Sequence, residues 1–239
     1  MQENFDVNSR FWIVSIVFLV FLVLSILLKK LRTRIKLAIS DLIWDHHIGK
    51  GEAEQNREIY TELTELRAFT SADRAYIFRF HNGSEFLPGH PSWKVSCTHE
   101  IVKHGVAYES ARLQGVLVSR IQNIVSPIIT GTSSSLGVTV VECEECPFKA
   151  RCLRENKRVT IFQVDEMENS YCKFHLESQN IKTAVMCSMV FNGNVYGMVG
   201  IDLTDSKLPK ERYSDVARLV CRSTDRIQFF MRNKFDVVK

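Results

Sequence analysis

Hydrophobic and polar positions change their spacing several times along the chain. Phe11 to Leu28 (FWIVSIVFLVFLVLSILL) holds no charge. Eighteen helical residues rise about 27 Å, close to the hydrocarbon thickness of a bilayer. Beyond it, Leu31, Ile35, Ala38 and Leu42 recur every three or four positions and predict a helix over 31–48, interrupted by Gly49 and Gly51. Ile59, Leu63 and Leu66 predict another near Glu52–Thr70, with one apolar face to bury against its own domain or a second copy. From Ala72 the period becomes two. Ala75 to Phe80 reads as a strand that turns at His81-Asn82-Gly83, and Val95, Cys97, His99 and Ile101 alternate on a second. Residues 105–130 are apolar and irregular, with a weak helical tendency, and 131–137 is a Ser/Thr/Gly loop.

The second half is more regular. Val159–Val164 predicts a short strand and 167–179 a helix. Val185, Cys187, Met189 and Phe191 form one face of a strand, Asn192-Gly193-Asn194 turns it, and Val195, Gly197, Val199, Ile201 and Leu203 return it. Pro209 opens a long helix with Val216, Leu219, Val220, Ile227, Phe230 and Met231 on its apolar side. Helices flanking hairpin-connected strands predict an α+β fold on an antiparallel sheet.

Composition narrows the function classes. With 45% hydrophobic and 24% charged residues, the 239-residue chain is neither disordered nor a polytopic transporter. The net charge is +4, yet Lys29, Lys30, Arg32, Arg34 and Lys36 fall within eight positions, so the remainder is near neutral and offers no nucleic-acid face. That cluster suits acidic lipid headgroups. It also makes Phe11–Leu28 a retained transmembrane anchor, because the start, MQENFDVNSR, is not basic and no cleavage signature follows. The positive-inside tendency then places residues 1–10 outside and the C-terminal domain in the cytoplasm, at the plasma (inner) membrane. Seven cysteines, an odd number, fit that reducing side.

The order of elements resembles a GAF domain, the small-molecule-sensing relative of PAS. The resemblance rests on NIKTAVMCSMVFNGNVYGMVGIDLTDSKLPKERYSDVARLVCRSTDRIQFFM (180–231), with its Gly-containing turn, strand glycines Gly197 and Gly200 and closing helix, and on the opening strand ADRAYIFRFHNG (72–83). It implies a six-stranded antiparallel sheet over 55–235, behind the anchor (11–28) and a basic helical linker (29–54), with a ligand pocket on one face. Tyr76, Phe78, Trp93 and Phe162 are the candidate ligand-binding residues. The resemblance does not name a ligand, since neither a cyclic-nucleotide N-K-F-D-E motif nor a bilin-attachment context is present.

The sharpest chemical feature is VECEECPFKARCLRENKR, whose Cys-rich insert at 142–153 holds Cys143-x2-Cys146-x5-Cys152. Two thiolates two residues apart can share one ion across a tight turn, and Pro147 suits that turn. Zn²⁺ wants four N/S ligands, so Cys172 or His175, at i and i+3 of one helix, would complete the set. An iron–sulfur cluster accepts the same cysteines, a Cys143–Cys146 redox pair is a third possibility, and unbound thiols among Glu142, Glu144 and Glu145 a fourth. Cys97, Cys187 and Cys221 lie on apolar faces and read as core. Asp202 and Asp205 read as loop polars, and His81, His90, His99 and His104 as turn or strand residues without a catalytic partner. Phosphate-loop, Rossmann, HExxH and GxSxG motifs are absent.

These observations predict a membrane-anchored, dimeric sensor or scaffold responding to a small molecule or to redox or metal state. It would have no catalytic output, and would signal through a partner protein. Two other plans compete. A phage holin-like lysis protein would carry its globular domain outside the cell, against the basic flank after Leu28. A thiol reductase of the GAF methionine-sulfoxide type would need cysteines lining the pocket.

Overall fold

The computed structural model describes residues 24–29, 31–32, 51–86, 90–132, 135–142 and 157–232. Two compact units divide the chain, Met1–Glu54 and Gln55–Lys239. In the first, a short helical stretch over 24–29 exposes Leu24, Ile26, Leu27 and Leu28. The rest of the predicted span Phe11–Leu28 and most of the predicted helix 31–48 lie outside the described residues. Among the described residues no helix is long and apolar enough to cross a membrane.

The second unit is α+β. Helix α1, which spans 51–70 and lies in this unit from Gln55 on, precedes β1 (Arg74–Phe86), β2 (His90–Val102) and β3 (Val116–Leu117). Then follow α2 (Gln122–Thr130), β4 (Val138–Val141), β5 (Val159–Gln163), α3 (Tyr171–Ser178), β6 (Thr183–Phe191), β7 (Asn194–Leu203) and α4 (Tyr213–Arg232). One sheet takes all the strands in the order β3-β2-β1-β7-β6-β5-β4, and each neighbouring pair is antiparallel. Among the described residues it has seven strands, not the six that the resemblance implied. The two-residue β3, in the stretch read as irregular, is too short for alternation to show in a sequence.

Period two separates the faces. Ala75, Ile77, Val185, Cys187, Met189, Val199 and Ile201 point to one side, where Ile59, Leu63 and Leu66 of α1 and Val216, Val220 and Ile227 of α4 cover them. Each fully buried aliphatic side chain there contributes about 1.5–3 kcal/mol relative to exposure. The opposite parity, Tyr76, Ala184, Met186 and Met198, meets α2 and α3 through Ile124, Ile128, Cys172 and Leu176. Cys97, Cys187 and Cys221 are buried, as their apolar positions predicted. The hairpin β6–β7 turns where Asn192 (φ 50°) and Gly193 (φ 77°) both take left-handed backbone, the pairing an Asn-Gly turn supplies at least strain.

Candidate functional site

The second face does not close completely. Between β1, β2, β6 and β7 below and α2, α3 and the segment before β3 above lies a cavity of about 90 Å³. That is several times the 10–15 Å³ or so that one water needs. Phe78, Val95, Leu113, Ile124, Met186 and Met198 give it apolar walls. Tyr76 and Phe78 stand edge to face at 5.1 Å. Gly200 makes room for them: a Cβ there would meet the Tyr76 ring at 2.5 Å.

One end of the cavity is charged, and its groups are buried. Arg74 on β1 stands 3.8 Å from Glu100 on β2 and 3.7 Å from Asp202 on β7. Its Nε donates to the Ala107 carbonyl (3.3 Å) and its Nη1 to Gln179 Oε1 (2.7 Å). Glu100 accepts from the backbone N–H groups of Glu109 and Ser110, the latter at 2.7 Å. The Tyr76 hydroxyl donates to Asp202 Oδ1 at 2.8 Å. Burial drives the Asp202 carboxyl up to about 7, with Glu100 adding to the rise against the Tyr76 hydrogen bond and the Arg74 charge. Burial first, then Glu100 and Asp202, push the Cys97 thiol up to about 12, and burial and Asp202 hold the Tyr76 phenol well above its ordinary value.

His175 closes the network from α3. Gln179 spends its oxygen on Arg74, so its amide nitrogen donates to His175 Nε2 at 2.8 Å. That assignment makes Nε2 the acceptor and leaves the proton on Nδ1. Burial keeps the ring's pKa below its ordinary value, with Arg74 acting in the same direction and Glu109 against it. Tyr171 stacks on the ring at 6.0 Å and an interplanar angle of 4°.

The candidate residues separate accordingly. Tyr76 and Phe78 line the cavity. Phe162, fully buried on β5, lies in the same apolar layer one strand beyond β6 and is not in the lining. Trp93 shares the parity of Val95 but sits farther along β2, half exposed, also outside the lining. Cys143, Cys146 and Cys152 lie outside the described residues. Cys172 does not face the cavity; its thiol donates to the Arg120 carbonyl at 3.5 Å, and burial raises its pKa. Among the described residues no three His, Cys, Asp or Glu side chains gather as a metal site. Asp202 corrects a further expectation: it is the penultimate residue of β7, 3% exposed, rather than a loop polar. Period two puts Asp202 on the cavity-facing parity of Met198, but only the ladder sets it beside Arg74. Arg74, Tyr76 and Phe78 share one parity on β1, and Asp202 pairs with Arg74 in the ladder.

No family model and no curated protein matches the sequence. Among solved structures, the blue-light-absorbing GAF domain of Thermosynechococcus elongatus PixJ is similar at 11% identity over 79% of this chain and 94% of that one, TM-score 0.47. A Synechocystis GAF domain in its photoproduct state is similar at 12% identity over 77% and 99%, TM-score 0.49. The chromophore-binding domain of a bacteriophytochrome from R. palustris is similar at 10% identity over 81% and 63%, TM-score 0.46. At this identity and overlap the likeness carries neither ligand nor partner to this chain.

Proposed function

We propose that residues 55–235 form a GAF-like sensory domain that binds a small, largely apolar organic molecule and has no catalytic output of its own. The cavity between the sheet and α2–α3, with apolar walls and a buried charged end, is the observation that carries this reading. β1 supplies the coupling. Tyr76 and Phe78 face the cavity while Ala75 and Ile77 face α1 and α4. A ligand that shifts β1 therefore acts on both layers, because packed cores repack rather than deform smoothly. The anchor at Phe11–Leu28, cytoplasmic placement, a homodimer and a separate output protein belong to the same proposal, and rest on charge and hydropathy.

A fragment library read by thermal unfolding of the full chain tests it. Small aromatic fragments should raise Tm in the unmodified protein and lose that effect in Met186→Phe, which fills the cavity. Equal gains in the variant, or no gain in either protein, would sink the reading.

A further inference from the structure

The charged end of the cavity has two unspent hydrogen-bonding atoms. Arg74 carries five N–H bonds on a side chain only 4% exposed. Nε and Nη1 are engaged, whereas Nη2 makes no hydrogen bond among the described residues. Asp202 gives Oδ1 to Tyr76, and its Oδ2 stands 3.7 Å from Arg74 Nη1, beyond a well-formed hydrogen bond. Glu100 is different, because three backbone N–H contacts already occupy both of its oxygens. The site therefore presents a donor beside an acceptor on adjacent strands, at the end of an apolar, aromatic-walled cavity. Buried groups of this kind discriminate strongly, since a ligand that leaves them unpaired loses their desolvation cost.

Charge selects further. One guanidinium faces two carboxylates, so an anionic ligand group meets Glu100 and Asp202, and a cationic one meets Arg74 at close range. A neutral group with an acceptor and a donor on neighbouring atoms meets neither objection. Given the cavity reading above, on which this rests, we propose that Arg74 and Asp202 recognise the neutral amide edge of a compact ring-bearing ligand. The ligand carbonyl would accept from Arg74 Nη2, and its N–H would donate to Asp202 Oδ2.

Three probes of one size separate the possibilities: benzamide, benzoate and benzamidine. Methyl signals of Met186 and Met198, both in the lining, report binding in this cavity. At about pH 8, benzamide should perturb these methyls and bind tightest of the three. Asp202→Asn turns the acceptor into a donor while its oxygen can still receive the Tyr76 hydroxyl. It should weaken benzamide about fivefold, the effect of one hydrogen bond, and tighten benzoate by a similar factor. Lowering the pH of the unmodified chain to about 6 should move both affinities the same way, which serves if the variant does not fold. The groups facing Asp202 are Arg74 and Tyr76 on β1 and Cys97 and Glu100 on β2, with His175 of α3 and Glu109 of the following loop beyond Arg74. Tyr76 and Cys97 stay protonated throughout, and His175 titrates below its ordinary range. Tighter binding of benzoate or benzamidine than of benzamide, or equal weakening of all three by Asp202→Asn, would overturn the amide assignment and leave the cavity reading standing. If no probe moves either methyl, both fall together.

Discussion

Asp202 holds the most informative position in the domain. It is fully buried, touches Tyr76 and Arg74, and titrates near 7 in place of its ordinary 3.8. The folded chain therefore holds a proton here that the unfolded chain has released between about pH 4 and 7. Stability from this group is complete below its unfolded pKa and is lost as pH rises through 7. Urea unfolding across that window should show the unmodified protein losing roughly 1 kcal/mol per pH unit relative to Asp202→Asn, with a constant difference above it. An unchanged difference at every pH would contradict the assignment. Tyr76→Phe removes the donor to Oδ1, so it should cost about 1–3 kcal/mol and extend the sloping region to higher pH. Gly200→Ala acts on the same ring by steric means. A Cβ 2.5 Å from Tyr76 forces it aside, and unfolding should register a loss of about 1–3 kcal/mol. Tyr76 was legible as an aromatic on a strand. Arg74 and Asp202 were not, because a charge in the apolar parity of a strand resembles an end-of-strand polar residue until the ladder places the two opposite each other.

At the level of elements, strong periodicity predicted well and short or unpatterned pieces did not. The β6–β7 hairpin could be read from alternation on both sides of Asn192-Gly193, and its register keeps Val185 opposite Ile201. β3 has two residues and only two ladder partners, Lys94 and Val95, so no sequence window could have found it. α4 shows how a helix can carry a polar anchor that hydrophobic periodicity hides. Lys157 and Asp225 form an ion pair at 2.6 Å, with the lysine side chain 1% exposed, and Lys157 also donates to the Cys221 carbonyl at 3.3 Å. Among the described residues, Asp225 Oδ2 has no hydrogen-bond partner even with the lysine in place. Lys157→Met should thus leave an uncompensated buried carboxylate and cost about 3–5 kcal/mol by urea unfolding. Adding Asp225→Leu should recover most of that loss, since a buried pair can be replaced by apolar side chains with little penalty. A double variant as weak as the single one would mean that the pair positions α4 in a way that hydrophobic packing cannot replace.

For the whole molecule, the open chemistry lies in the insert between β4 and β5 and in the stretch before α1. Cys143 and Cys146 have the spacing of a metal knuckle, with Cys152 as a third ligand candidate. The structure changes the question of their fourth ligand. Cys172 is turned toward the Arg120 carbonyl and His175 Nε2 is occupied by Gln179, so neither is a ready partner for the insert. If the insert binds zinc with either one as fourth ligand, metal uptake must break that residue's contact, and the cavity, of which His175 is a wall, should respond. Purified full chain should then contain zinc, lose it in Cys143→Ser/Cys146→Ser, and show shifted Met186 and Met198 methyl signals on chelation. Zinc loss without a methyl response would confine the metal to the insert, and a zinc-free chain would remove it from the account. The redox compartment decides whether those thiols are available at all. Reporters fused after Lys239, one active only in the cytoplasm and one only outside, measure it directly. The cluster Lys29, Lys30, Arg32, Arg34 and Lys36 predicts the cytoplasmic reporter alone. The opposite result would overturn the positive-inside argument, make disulfides the default for the insert, and move the holin-like plan ahead of the sensor, because an external domain cannot signal to a cytoplasmic partner without crossing the bilayer.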